Sequence, residues 1–287
     1  MKKNFIPVLT GIGLCLVQFS ANAQSYKTHV SKVFDMQNGV VGIFNLDGPI
    51  KVEGYAGNKV MIEIDETITG ENQAALEEGK RDFKLGFDQK GDSLAIYTAY
   101  PYDTRPHRYY RHYGDDDDRD IHYNIRLAYT VKVPNNVNLF ATTVNNGDIA
   151  IKDVYGSLRI NNVNGGIEIL NAKGATWAHT VNGPLTVTYL RNPPGESSYY
   201  TLNGELNATF LPDLSADVEF KSMNGQFFTD FEDTQVMPSR VSKTVNKGNN
   251  GTTYKLNKAS DVRFGAGGKL FKFETLNGNI YIKKQKA

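Results

Sequence analysis

Residues 144–189 read VNNGDIAIKD VYGSLRINN VNGGIEILN AKGATWAHT VNGPLTVTY, five units of nine or ten residues. Each is a short alternation of apolar and polar residues closed by a corner. Period-two alternation places every second side chain on one face of a strand. The stronger corners follow a Val/Leu/Met-Asn-(Asn)-Gly pattern. They comprise Asn145 and Gly147, Asn164 and Gly165, Asn182 and Gly183, Asn203 and Gly204, Asn224 and Gly225, and Asn277 and Gly278, with the glycines spaced by 18, 18, 21, 21 and 53 residues. Gly48, in Leu46-Asp47-Gly48-Pro49-Ile50, is an early copy. Asn-Gly suits corners where backbone residues take positive φ, because Gly lacks a Cβ and Asn tolerates the left-handed region. The apolar pairs Ile149/Ile151, Ile167/Ile169, Leu185/Val187, Leu206/Ala208 and Ile280/Ile282 stand at one offset from their glycines. A corner recurring every 18–21 residues predicts stacked coils, with matching positions about 4.8 Å apart in ladders of like side chains. The rival is an antiparallel meander of Asn-Gly hairpins, which does not require the same corner at each turn. In the stacked reading the Asn ladder caps corner backbone groups.

Outside this stretch the pattern loosens. Residues 30–66 read as strands, 71–82 as one short helix in which Ala74, Ala75 and Leu76 sit among good helix formers, and 83–87, 93–100 and 121–133 as further strands. Two tracts read as insertions into one β domain spanning 24–287. Residues 101–120 mix Tyr, Arg and His with the run Asp115-Asp116-Asp117-Asp118, and residues 234–260 are polar and irregular, filling the 53-residue gap.

The N-terminus reads differently. Lys2 and Lys3 precede an apolar run over 5–17 and then Ala21-Asn22-Ala23, the pattern of a signal peptide over residues 1–23. The run is short for a membrane span, so the expectation is an exported chain, in the periplasm or at the cell surface, with no span after cleavage. Cys15, the one cysteine, lies mid-run after Leu14, a poor context for lipid attachment. Cleavage would leave no disulfide, thiolate or cysteine-based metal site. The 287 residues are 40% hydrophobic and 22% charged, which suits a globular chain with a sizeable core. With 32 basic against 31 acidic residues, there is no basic excess to neutralise nucleic-acid phosphates or anionic lipid.

Leu46-Asp47-Gly48-Pro49-Ile50-Lys51-Val52-Glu53-Gly54, the entry Tyr129-Thr130-Val131-Lys132-Val133-Pro134, the Val-Asn-Gly ladder, and the ending Phe264-Gly265-Ala266-Gly267-Gly268 with Glu274-Thr275-Leu276-Asn277-Gly278-Asn279-Ile280 resemble the bacterial putative-adhesin family, domain of unknown function 4097. The similarity extends to toastrack-like β-solenoids of cell-envelope proteins. It implies an all-β, right-handed, single-stranded β-helix, exported, with suggested roles in adhesion or envelope-stress sensing and no established catalysis.

Three chemistries compete with a binding role. Gly91-Asp92-Ser93-Leu94 matches the name of a serine esterase family, but such a serine sits at a strand-to-helix turn with a late His motif; Ser93 instead opens a strand, and the one His beyond residue 122 is His179. His107, His112 and His122 lie near the Asp115–Asp118 run, yet an uninterrupted acidic run supplies repulsion without the spaced oxygens a cation needs, so no metal and no cofactor is expected. A polysaccharide-active β-helix would converge carboxylates, whereas the residues after the corner glycines are Asp148, Gly166, Pro184, Glu205, Gln226 and Asn279. Tyr102, Arg105, Arg108, Tyr109, Tyr110, Arg111 and Tyr113 are the candidate contact surface, because tyrosine and arginine anchor interfaces. The expectation is a non-enzymatic envelope or adhesion-type module whose partner is an envelope protein or surface glycan. The alternatives are a scaffold, including a homo-oligomer, and a stress-sensing partner.

Overall fold

The computed structural model describes residues 24–106, 120–248 and 251–286. The segment assigned as a signal peptide and residues 107–119 lie outside them. Strands β1 (Gln24–Asp35), β2 (Val40–Phe44), β3 (Ile50–Tyr55) and β4 (Lys59–Gly70) precede helix α1 (Gln73–Asp82), and β5 (Lys84–Lys90), β6 (Ser93–Tyr100) and β7 (Tyr123–Pro134) follow it. The repeats supply β8 (Asn138–Thr142), β9 (Ile149–Lys152), β10 (Leu158–Asn161), β11 (Ile167–Ala172), β12 (Thr176–Asn182), β13 (Leu185–Tyr189), β14 (Ser197–Asn203), β15 (Leu206–Phe210), β16 (Ala216–Asn224) and β17 (Phe227–Thr229). Then come β18 (Thr234–Gly248), β19 (Gly251–Phe264), β20 (Lys269–Asn277) and β21 (Ile280–Lys284).

The fold is all-β with one helix among the described residues, in two open, mixed sheets. Sheet A runs β1-β4-β7-β3-β9-β11-β13-β15-β21-β17, and sheet B runs β18-β19-β16-β20-β14-β12-β10-β8-β2-β6-β5. From β8 to β15 successive strands alternate between the sheets, and each pairs in parallel with the strand two places on. Parallel pairing rules out the meander of hairpins. Parallel sheets usually carry helices on both faces and read as continuous apolar runs. These strands alternate because the only cover is the opposite sheet. Ile149 and Ile151 stand in register with Ile167 and Ile169, these with Leu185 and Val187, then Leu206 and Ala208, then Ile280 and Ile282, and all ten side chains are buried. Toward the C-terminal end aromatics fill the interior, with Tyr189 stacked on Phe210 at 5.1 Å and Tyr199 on Phe273 at 4.5 Å.

Two sequence readings need correction. Residues 234–260 are not irregular: β18 and β19 form a long antiparallel hairpin, and β19 pairs with β16. The repeats also do not follow one another across the sheets in chain order. β20 lies between β14 and β16, and β21 between β15 and β17, so the corner asparagines run 145, 164, 182, 203, 277, 224, each joined to the next by a side-chain amide bond of 2.7–3.1 Å. The hairpin on the outer edge of β16 turns the chain back to that strand's inner side. The N-terminal end repeats the device, since β2 pairs with both β6 and β8, and β3 with both β7 and β9. There α1 covers the end: Asn72 accepts from the Ala75 amide at 3.0 Å as N-cap, Lys80 and Arg81 occupy the last turn, and Leu76 packs with Ile68 and Tyr123. Side-chain capping and C-terminal cations suit the helix dipole.

The corner chemistry also differs from expectation. Of the corner glycines only Gly48, at φ 111°, lies well inside the left-handed range; Gly183 and Gly278, at 159°, sit at the margin of extended backbone, and Gly147, Gly165, Gly204 and Gly225 do not have positive φ. What excludes a side chain is close approach. A Cβ on Gly147, Gly165, Gly183, Gly204, Gly278 or Gly225 would overlap the backbone carbonyl of the adjacent coil's corner glycine. That carbonyl is capped by an inner column: Thr143 to Gly48, Asn162 to Gly147, Thr180 to Gly165, Thr201 to Gly183, Thr275 to Gly204 and Ser222 to Gly278, at 2.8–3.2 Å. The capping thus comes from the residue three or four positions before each glycine, while the ladder asparagines bond to one another on the exposed side.

Candidate binding surface

Period two gives each sheet an outward face as well as a buried one. On sheet B, register places Phe140, Arg159, Trp177, Ser198 and Lys272 in one row across β8, β10, β12, β14 and β20. Thr142, Asn161, His179, Tyr200 and Glu274 form the row beside it. The Arg159 guanidinium lies 5.8 Å from the Phe140 ring centroid and 5.5 Å from that of Trp177, within the range of cation–π attraction. His179 meets Tyr200 edge-on at 5.8 Å, and its Nε2 lies 3.2 Å from the Ser198 hydroxyl. Burial first, and the Arg159 charge second, hold the His179 imidazole below its usual pKa, so it is neutral at pH 7. A shallow depression of about 300 Å³ is lined by His179, Ser198, Tyr200, Glu219 and the ion-paired Lys221 and Glu274.

Around β3, β7, β9 and β11 the outward face of sheet A carries opposite charges, while at its far end Phe228 stacks on Tyr281 at 5.0 Å beside Lys283. Glu53 is flanked in register by Lys132 and Lys152, with Lys51 two residues away on its own strand and Glu168 on β11. Each charge there has a counter-charge on its own or a neighbouring strand.

The sequence-derived contact residues divide. Arg108, Tyr109, Tyr110, Arg111 and Tyr113 lie outside the described residues. Arg105 is held rather than free: its guanidinium pairs with Asp88 at 2.5 Å and Asp103 at 2.6 Å and stacks over Tyr97 at 4.0 Å. It ties the segment after β6 to the β5–β6 hairpin. Tyr102 lines a cleft of about 400 Å³ with Asn45, Asp47, Thr104, Tyr123 and Asn145 at the corner column.

The outward rows of sheet B were not singled out from sequence. A signal was present, because Phe140, Arg159, Trp177 and Tyr200 occupy the alternate positions of strands whose inward residues were read. Trp177 is also the only tryptophan.

For chemistry, Ser93 opens β6, four strand positions from His179 on β12, or about 19 Å at sheet spacing. The His179–Ser198 contact joins an imidazole to a hydroxyl, but no acceptor orients Nδ1 among the described residues. The β12 and β14 amides serve the parallel ladder rather than a pocket for a developing oxyanion. Among the described residues no three His, Cys, Asp or Glu side chains converge on a metal position, and no helix is long and apolar enough to cross a membrane.

No family model matches the chain, and no curated protein matches it. Among solved structures it is similar to a putative cell adhesion protein from Clostridium sporogenes, at 8% identity and a TM-score of 0.41 over 91% of this chain and 100% of that one. A putative adhesin from Bacteroides fragilis aligns at 8% identity and 0.34 over 90% and 97%. A putative lipid binding protein from Parabacteroides distasonis aligns at 9% identity and 0.27 over 93% and 98%.

Proposed function

We propose that the chain is an exported, non-enzymatic binding module of the cell envelope, built on a β-solenoid whose coils each contribute one strand to sheet A and one to sheet B. The alternating parallel winding and the corner columns support the solenoid, and the leader-like N-terminus supports export. The observation that carries the binding role is the outward face of sheet B: aromatic, cationic and hydrogen-bonding side chains in two registered rows, with no helix or strand layer over them among the described residues. Side chains that are not needed for the core and stand on a rigid scaffold are free to serve recognition. The cleft beside Tyr102 is a second contact surface under this reading. The partner is an envelope protein or surface glycan.

The test is co-sedimentation of the chain, purified after export with its own leader, with isolated envelope fractions. Saturable retention is the expected result. No retention, together with turnover of an ester or polysaccharide that a single Ser or carboxylate substitution abolishes, would move the protein to the enzymes. A homo-oligomeric scaffold is the second reading. Its support is β1, a twelve-residue edge strand with one unpaired row of backbone groups, and light scattering over a range of concentrations separates it from a monomer.

A further inference from the structure

Strands β8, β10, β12 and β14 have the sequences NLFAT, LRIN, TWAHTVN and SSYYTLN, with no acidic residue in any of them. Arg159 projects from the middle of this area, exposed, and makes no ion pair among the described residues. Its partners are two aromatic rings, one on the strand to either side, and its N–H donors make no hydrogen bond among the described residues. A guanidinium so placed is a preoriented fork for a carboxylate or similar oxyanion. The Trp177, Tyr200 and Phe140 rings around it are only partly covered, and Asn161, Ser198 and His179 lie between them with hydrogen-bonding capacity.

These features select among ligands. A protein partner would want a continuous apolar patch with a desolvated centre, and only Phe140 is a strongly exposed apolar residue within these rows. A duplex or a lipid surface wants many cations, and the two rows offer only Arg159 and, at their edge, Lys272. A pyranose chain that carries acid groups meets every condition. Its C–H faces stack on aromatic rings, its hydroxyls exchange hydrogen bonds with Asn, Ser and His, and its carboxylate answers the lone guanidinium. Rungs about 4.8 Å apart are commensurate with one sugar ring per strand, so the chain would run across the strands, along the rows.

We infer that the outward face of β8, β10, β12 and β14 binds an acidic saccharide chain, with Arg159 taking the carboxylate and Trp177 and Tyr200 stacking on the rings. This assignment rests on the binding-module reading and gives it a ligand class. Trp177 is the only tryptophan, so its fluorescence reports the face directly.

The experiment titrates the exported chain with oligogalacturonate, with the same oligosaccharide reduced at its carboxyls, and with oligo(dT). The expected result is a saturable change in Trp177 emission with oligogalacturonate. Binding should weaken at least tenfold for the reduced chain and at least tenfold for Arg159→Gln, whose fold is checked by circular dichroism. Arg159→Lys should recover part of the loss, since it restores charge without the fork. Tyr200→Phe, which keeps the ring, should bind within a factor of three of the parent. No emission change with oligogalacturonate, equal binding of the reduced chain, or tighter binding of oligo(dT) overturns the assignment. Envelope co-sedimentation of Arg159→Gln separates the two levels. If it is retained like the parent and oligogalacturonate does not bind, the face assignment fails while the module reading stands. If the parent itself is not retained, the module reading fails whatever the titration gives.

Discussion

Sheets A and B present the same surface to the core and opposite surfaces to solvent. Inward, both supply registered files of apolar side chains that are almost wholly buried. Outward, sheet A carries Lys51, Glu53, Lys132, Lys152 and Glu168 in mutual proximity, whereas four strands of sheet B carry aromatics, one arginine and no acid. A folding requirement acts on the inward files alike, so it cannot explain a difference between the outward ones. Around β3, β7 and β9 sheet A interleaves charges of both signs, as a face does that has only to stay soluble. Strands β8, β10, β12 and β14 leave their rings partly exposed and Arg159 without an ion pair among the described residues, and the proposed recognition role rests on this asymmetry.

If the inward sides are equivalent, truncating either should do equal damage. Ile169→Ala in sheet A and Phe273→Ala in sheet B should each cost about 2–5 kcal/mol, lowering the melting temperature by roughly 5–15 °C. A large loss on one sheet and a negligible one on the other would mean the core is not shared. The corner joins the faces and comes next. Gly165→Val places side-chain atoms against the Gly147 carbonyl and should cost roughly 1–3 kcal/mol. Gly195→Ala, whose Cβ would meet only Ala175 at 3.7 Å, should melt like the parent. Thr180→Val, which removes the bond to the Gly165 carbonyl, should cost about 1 kcal/mol. Equal melting of all three variants would discard the close-approach account of the column.

On the outward faces the effects shrink and diverge. Glu53→Gln leaves Lys132 and Lys152 facing each other and should lower stability by about 0.5 kcal/mol in dilute buffer, an effect that fades in high salt. Arg159→Gln should stay within about 0.5 kcal/mol of the parent at every ionic strength. A salt-dependent loss in both would erase the distinction between the faces.

Two histidines sharpen it by pH. His29 on β1 bonds Asp65 at 2.7 Å and Glu63 at 2.6 Å, which raise its pKa above 6.5; hydrogen bonds from Ser31 and then His29 lower that of Glu63 below 4.5. The His29 contribution is therefore complete below pH 6.5 and disappears as pH rises through the raised value. That of Glu63 is present above 4.5 and disappears as pH falls through the lowered one. His179 has the opposite sign: with its pKa depressed, its contribution is present above pH 6.5 and is lost as pH falls through the lowered value. Melting curves of the parent, His29→Gln and His179→Gln between pH 4 and 9 should show the first variant's deficit confined to intermediate pH. The parent's loss at acid pH should be blunted in the second. Parallel curves for all three would refute both assignments.

What the sequence made legible follows from how local each cause is. The inward files were legible because Ile167/Ile169 or Leu185/Val187 need only period two to be recognised. The corners were found through Asn-Gly, but for a reason the structure replaces. Gly165 is small because Gly147 of the adjacent coil stands against it, a contact between residues on different coils. Thr180, Thr201 and Thr275, three places before their glycines, are legible in principle as Thr-x-Asn-Gly, but the Asn beside each glycine offers an equally short polar side chain, so the sequence does not decide between the two caps. The position of β20 was not legible, since nothing in Leu270 to Asn277 says which neighbour it will pair with; that depends on the hairpin closing on the outer edge of β16. Residues 234–260 looked irregular because they hold few apolar residues, and pairing between β18 and β19 rather than an apolar face organises them.

The insertion of β20 and β21 between older neighbours bears on the order of assembly. Strands β8 to β15 can add one by one as the chain emerges, each finding a parallel partner already laid down. β16 and β17 have no such partner when they appear, because the strands that join them to β14 and β15 are synthesised later. Until then the stack ends in a bare parallel edge, and unpaired edges of that kind recruit other chains. A chain halted between Phe210 and Lys269 would keep the strands up to β15 and still lack the pair that locks its last corner. Completion is thus a single late event, and an interrupted molecule remains chemically distinguishable, by its open edge, from a finished one.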